Sequence, residues 1–138
     1  MARNTQLKIA RVRVDGRTST ALVRGRRVHL VKGGPLGSLQ ETGDVYPLSK
    51  VTLLPPVQPG KIVAIGLNYH THIGDRAIPN KPEPFLKAPN SLIGPEGTIV
   101  LPPDAGRVDE EGEIVAVIGR RAKNLTEDEV DGYVLGYT

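Results

Sequence analysis

The stretch Leu7-Lys8-Ile9-Ala10-Arg11-Val12-Arg13-Val14-Asp15-Gly16-Arg17-Thr18-Ser19-Thr20-Ala21-Leu22-Val23-Arg24-Gly25-Arg26-Arg27-Val28-His29-Leu30-Val31-Lys32 decides the fold class. Side chains of a strand point alternately to its two faces, so residues two apart share one face. Leu7 to Val14 reads as a strand of apolar and basic residues. Asp15-Gly16 supplies a tight turn, because glycine accepts backbone angles that other residues resist. Thr18 to Arg24 is a second strand, Gly25 a second turn, and Arg27 to Val31 a third strand. Val28 and Leu30 share the inward face, which leaves His29 on the exposed one. The product is an antiparallel meander whose arginines form the solvated face.

Composition agrees with short strands joined by turns. The 138 residues include 16 glycines and 12 prolines, while aromatic residues make up only 4%. Such a chain favours turns over long helices. It is long enough to bury a core. There is no cysteine, which removes disulfides and thiolate metal sites, so any metal must take oxygen or imidazole ligands. No apolar run is long enough to span a bilayer. The opening residues lack the apolar segment of a signal peptide, which points to the cytoplasm.

The formal net charge is +3, but it is unevenly spread. Residues 1–32 hold nine basic residues against Asp15 alone, and the rest holds nine basic against fourteen acidic residues. The basic segment contains no aromatic residue on which a base could stack, so nucleic acid is not the expected partner. Clustered carboxylates in the later part suit a hard cation. Lys32-Gly33-Gly34-Pro35-Leu36-Gly37 lacks the Gly-Lys-Ser/Thr ending of a phosphate loop and reads as a connector. Pro55-Pro56 and Pro59-Gly60 mark a boundary between a small N-terminal β domain, residues 1–55, and a second unit, residues 56–138.

In the second unit, Lys61 to Gly66 reads as a short buried strand. Asn68 to Arg76 leaves it as a polar turn or short helix, and Pro79 to Pro84 as an exposed loop. Phe85 to Lys87, Thr98 to Leu101 and Glu111 to Gly119 read as further strands. Thr126-Glu127-Asp128-Glu129 is a helix-start signature, in which Thr126 caps and Glu129 reaches back. Tyr133-Val134-Leu135 then returns to strand.

Three groups of residues carry candidate chemistry. Glu111 and Glu113 project from one strand face; paired carboxylates there call for a cation or protons, or else form a solvated strand end. If Asn68 to Asp75 turns helically, His72 and Asp75 share a face, and a carboxylate beside an imidazole raises its basicity. That makes a general base; the other reading is a surface histidine pair, His70 and His72. Lys87, at a strand end, is either a holder of a substrate carboxylate or a surface lysine.

The order of these segments closely resembles the fumarylacetoacetate hydrolase family. The likeness rests on Gly66-Leu67-Asn68-Tyr69-x-x-His72, Pro84-Phe85-x-Lys87-x-Pro89-x-Ser91-Leu92, Glu111-Gly112-Glu113-Ile114-x-x-Val117-Ile118-Gly119 and Gly132-Tyr133-Val134-Leu135-Gly136-Tyr137-Thr138. It covers about residues 53–138. The resemblance implies a mainly β, α+β chain: an antiparallel N-terminal domain, then the start of a mixed β-roll. It implies one Mg²⁺ or Mn²⁺ held by Glu111 and Glu113, catalysis by His72 with Asp75, and substrate contacts from Lys87 and Asn68. The substrates would be small 2-oxo or 2-hydroxy-dienoate acids, undergoing C–C hydrolysis, decarboxylation or isomerisation. Two positions depart from the pattern: the family's acidic partner is often glutamate where Asp75 stands, and an aromatic residue often stands where Glu110 does. The family continues with an aspartate that supplies a third metal ligand. Either another polypeptide supplies it, or the chain is a fragment, or it is an inactive binding or assembly module. A homodimer is the assembly that the resemblance implies.

Overall fold

A computed structural model describes residues 6–138; the first five residues of the N-terminal unit lie outside the described residues. Three strands follow the alternation in the sequence: β1 (Ile9–Val14), β2 (Arg17–Arg24) and β3 (Arg27–Lys32). Asp15 and Gly16 both take positive φ, 49° and 72°, which gives the tight reversal between β1 and β2. Two further strands, not anticipated from sequence, complete the sheet: β4 (Gln40–Pro47) and β5 (Thr52–Leu54). The antiparallel order is β4-β3-β2-β1-β5. β1 is thus an inner strand, paired with β2 along its whole length and with β5 from Arg11 to Arg13.

One face of this sheet holds the main core. Val12, Val14, Ala21, Val28 and Leu30 are buried, with Tyr46, Leu48, Val51 and Leu53 packed around them. Val12 and Val28 are fully buried. The inward position of Val28 and Leu30 is as the alternation requires. His29 departs from expectation. Rather than standing free, it is half-buried, and its Nδ1 lies 3.4 Å from Glu41 Oε2 on β4. The reason is the added strand, which turns β3 from an edge into an inner strand. The β3–β4 register slips between His29 and Val31, where the Thr42 hydroxyl donates to the Leu30 carbonyl at 3.3 Å. Glu41 also accepts a two-point hydrogen bond from the Arg24 guanidinium.

The chain from β6 onward is more open. β6 (Ile62–Gly66) and β7 (Glu83–Lys87) form one antiparallel hairpin, with Ile62 opposite Lys87 and Gly66 opposite Glu83. Between them lies α1 (His70–Ile73), a single turn. β8 (Ala116–Ile118) and β9 (Val134–Tyr137) form a second hairpin. The buried apolar residues here are Ala64 and Ile73, so β6 is less enclosed than its sequence suggests. Thr98 to Leu101 is not a strand; Ile99 and Val100 are 74% and 84% exposed, and no strand among the described residues pairs with them. Glu111 to Gly119 is likewise strand only from Ala116 to Ile118. The β8–β9 ladder continues one pair further, where Val115 and Thr138 exchange N–H···O bonds of 2.8 and 3.0 Å. Apolar alternation before Val115 finds no partner strand in the described residues, and without a ladder an extended segment is not a strand.

The helix start at Thr126 opens a short 3₁₀ helix, Glu127–Gly132. The Glu129 carboxylate accepts from both the Thr126 N–H and its hydroxyl at 2.9 Å. Those bonds hold the Glu129 carboxyl below its ordinary range. The N-terminal sheet and the later segment come close at Gly94. A side chain on Gly94 would lie 2.6 Å from the Leu53 carbonyl oxygen, so the loop after the short 3₁₀ turn Pro89–Ser91 presses on β5. No helix among the described residues is long and apolar enough to cross a membrane.

Two stability predictions follow from this packing. Val12→Ala removes two methyl groups from a fully buried site and is expected to destabilise the chain by about 2 kcal/mol in denaturant unfolding. Second, the Arg24 hydrogen bonds hold the Glu41 carboxyl below its ordinary 4.5. A group depressed in the folded state contributes stability above its unfolded value and loses it as pH falls through the folded value. Glu41→Gln should therefore flatten the fall in stability below pH 4.5, measured as urea midpoint against pH. The effect should be small, because the pair is exposed.

Candidate active site

The site begins where β6 ends. Leu67 follows Gly66 with a φ of 50°, a left-handed conformation uncommon outside glycine, asparagine and aspartate. This sharp exit directs Asn68 and Tyr69 off the strand and into α1. Tyr69 precedes the helix with extended backbone, φ −118° and ψ 138°. Gly74 closes it with φ 58° and ψ −133°, a region that only glycine enters readily. Ile73 is buried beneath the turn and anchors it. A one-turn helix has little stability of its own, so its position depends on this anchor and on the two unusual backbone sites.

His72 leaves this turn toward the segment that carries Glu111 and Glu113. Its Nδ1 lies 3.6 Å from Glu111 Oε1, joining parts of the chain distant in sequence. The imidazole is 34% exposed and the carboxylate 57%, so both remain open to a ligand. The ring also meets Tyr69 edge to face, with centroids 5.8 Å apart. The expected helical face shared by His72 and Asp75 does not form. Gly74 ends the turn before Asp75, and the carboxylate that faces His72 is Glu111. No spacing rule could have found that contact, because it joins segments distant in sequence.

The other candidates are placed as follows. Glu113 is exposed two residues beyond Glu111, ahead of the β8 ladder. Lys87 lies at the end of β7, with Nζ 5.1 Å from the Phe85 ring centroid, a cation–π contact along one strand face. Its register opposite Ile62 puts it at the far end of the hairpin from Gly66. At about 3.3 Å per residue, that is roughly 13 Å along the ladder from Gly66. Asn68 is exposed and borders a crevice of about 380 Å³, together with His70, Ile73, Ile78, Asn80 and Lys81. Sequence reasoning missed this crevice, since the loop that walls it reads only as proline-rich linker.

A hard divalent cation fits the donors present. Mg²⁺ is commonly bound by one or two carboxylates, with water and substrate oxygens filling the remaining positions. Glu111 and Glu113 supply two exposed carboxylates. No group of three His, Cys, Asp or Glu side chains converges among the described residues, so this part of the chain offers an open set of ligands and not a closed cage.

Comparison with known proteins identifies the family of the chain. Residues 61–138 match the family described as fumarylacetoacetate (FAA) hydrolase C-terminal, and residues 7–56 match the one described as Rv2993c-like, N-terminal. The chain is 43% identical over 94 residues to a fumarylacetoacetate hydrolase domain-containing protein 2 homolog of Dictyostelium discoideum, covering 67% of this chain and 31% of that protein. It is 40% identical over 97 residues to the mitochondrial oxaloacetate tautomerase Fahd2a of Rattus norvegicus, covering 68% and 31%. Among solved structures, the 5-carboxymethyl-2-hydroxymuconate delta-isomerase of Mycobacterium smegmatis superposes with a TM-score of 0.83 at 32% identity, covering 96% of this chain and 52% of that one. The chain thus spans about a third of the length of these curated relatives and about half of the solved one. With the family match extending over more than half of its residues, this chain belongs to the fumarylacetoacetate hydrolase family.

Proposed function

We propose that this chain carries part of the catalytic site of a divalent-metal-dependent enzyme that moves a proton on small 2-oxo or 2-hydroxy-dienoate acids, the reaction class of keto–enol and double-bond isomerisation. The observation that carries the reading is the approach of His72 Nδ1 to Glu111 Oε1. An imidazole with one nitrogen facing a carboxylate presents the other, Nε2, to a substrate as a proton carrier. The names of the rat tautomerase and the mycobacterial delta-isomerase support proton transfer over chemistry that needs a nucleophile. Decarboxylation and C–C hydrolysis share the same first requirement and remain within the proposal.

In this mechanism His72 Nε2 takes a proton from the carbon beside the 2-oxo group and returns it to oxygen or to a distal carbon. Glu111 faces the imidazolium that forms, through Oε1. Asp75, just past the helix, adds to the negative potential around it. Glu111 Oε2 and the Glu113 carboxylate would hold Mg²⁺ or Mn²⁺. Once bound, such a cation would supply Lewis acidity at the 2-oxo carbonyl and lower the cost of charge on its oxygen. Asn68 and Lys87 are proposed to contact the substrate's polar groups. We further propose two units, residues 1–55 and 56–138, and a homodimer or an association with a polypeptide carrying the rest of the family fold.

Two measurements test this reading. In a Mg²⁺ or Mn²⁺ titration followed by calorimetry, Glu113→Ala should weaken binding at least tenfold; an unchanged isotherm would refute the ligand assignment. In an oxaloacetate enol–keto assay, activity should vanish with excess chelator and return with Mg²⁺ or Mn²⁺. In the same assay His72→Asn should cost about 10²- to 10⁴-fold in kcat. Full activity of that variant would remove His72 from the mechanism.

A further inference from the structure

A second crevice, of about 360 Å³, has no task in the reaction just described. Three parts of the chain meet there: β1 through Arg11, the segment that leaves β5 through Val57 and Gln58, and the turn after β7 through Asn90 and Leu92. Its volume falls at the low end of small-molecule pockets, which run from roughly 300 to 1,000 Å³. Two of the three walls are held in place. Arg11 sits on an inner strand, opposite Thr20 on β2 and Leu54 on β5. The turn Pro89–Ser91 is closed by Ser91, whose N–H and hydroxyl both donate to the Ala88 carbonyl, at 2.9 and 2.7 Å. The loop just beyond it presses on β5 at Gly94. Such supports shape a site before its ligand arrives.

Arg11 supplies the chemistry. Neighbours on a strand alternate, so it stands on the sheet face opposite to buried Val12. It is half-buried, and its guanidinium donates to the Pro55 carbonyl at 2.9 Å. That bond fixes the plane of the group and leaves further N–H donors of its rigid fork. No aspartate or glutamate lines the crevice, and Arg11 forms no ion pair among the described residues. A half-buried cation without a carboxylate beside it favours an anion. The amides of Gln58 and Asn90 add donors, while Val57, Leu92 and the prolines beside them add apolar surface.

Charge and walls together narrow the ligand. The planar fork of arginine fits a carboxylate two N–H groups at a time. One carboxylate neutralises one guanidinium, whereas a phosphate dianion leaves charge unpaired against apolar walls, which is costly. Apolar surface in turn favours an acid with a hydrocarbon body over a bare ion. We propose that this crevice binds a small monocarboxylic acid with a compact apolar body, its carboxylate on Arg11 and its body against Val57 and Leu92. Neither His72 nor Glu111 lines it, and the proposal is independent of the reaction assigned to them. The occupant touches both β1 and the turn that follows Lys87, so it ties the N-terminal sheet to the later segment.

The test titrates isovalerate against the ¹⁵N-labelled full chain without added metal. The Val57, Gln58, Asn90 and Leu92 amides should shift and saturate together. Isoamyl alcohol, which keeps the body without the charge, and inorganic phosphate, which keeps charge without the body, should each bind at least tenfold more weakly. Arg11→Gln should weaken isovalerate at least tenfold. Because Arg11 also holds Pro55, a second variant leaves that bond intact: Asn90→Asp keeps the size of an exposed side chain and places a negative charge in the wall. It should weaken isovalerate at least fivefold. Unaltered affinity in Asn90→Asp overturns the proposal, as does phosphate binding as tightly as isovalerate. It also fails if no amide of the crevice shifts, or if the saturating shifts fall around His72 instead.

Discussion

Hydrogen bonding of β1 along both its edges is the constraint on which the rest of the molecule depends. β2 satisfies one edge and β5 the other. A strand bonded on both sides leaves none of its central amides to water, and Val12 at its middle is fully buried. β5 is only three residues long, yet it is the last element before the second unit. The chain therefore leaves the sheet from a fixed position. Arg11 reinforces that exit from β1, donating to the Pro55 carbonyl at 2.9 Å. Everything that follows, β6 and α1 included, starts from an anchored point.

The candidate site depends on a second set of constraints, local to one helical turn. Leu67 and Gly74 hold unusual backbone angles at its two ends, and Ile73 is buried below. These features set the direction of His72 at the expense of intrinsic helix stability. The charge pattern of the sequence is realised in the same region. The acidic later half brings Glu111 to the imidazole, while the arginines of the first half remain with the sheet. Arg24 bonds to Glu41 there, and Arg11 to the chain at Pro55.

Much of the fold was legible in sequence, for identifiable reasons. β1, β2 and β3 were visible because apolar residues alternate and Asp15-Gly16 and Gly25 punctuate them. β4 was not, because Gln40-Glu41-Thr42-Gly43-Asp44 is a polar run with no periodicity, held in the sheet by pairing with β3 alone. The opposite error arose at Thr98 to Leu101 and Glu111 to Val115. Their residues favour strands, but a strand needs a neighbour, and none of the described residues provides one except at Val115. The order of short motifs was enough to indicate the family. The contact between His72 and Glu111 was not legible, since it joins segments distant in sequence, and the helical face expected to carry His72 and Asp75 stops at Gly74, whose backbone freedom ends the turn.

Gly94 against the Leu53 carbonyl has an implication for recombination within the family. The N-terminal sheet and the later unit match separate family models, which invites treating them as interchangeable parts. At Gly94 the approach admits no side chain, so there the loop is fitted to the backbone of β5. A chimera that grafts a relative's N-terminal sheet onto this chain must carry β5 and the Leu92–Gly94 loop across together. A junction cut between them would join two surfaces that never shaped each other, and the misfit would fall beside the Pro89–Ser91 turn that follows Lys87.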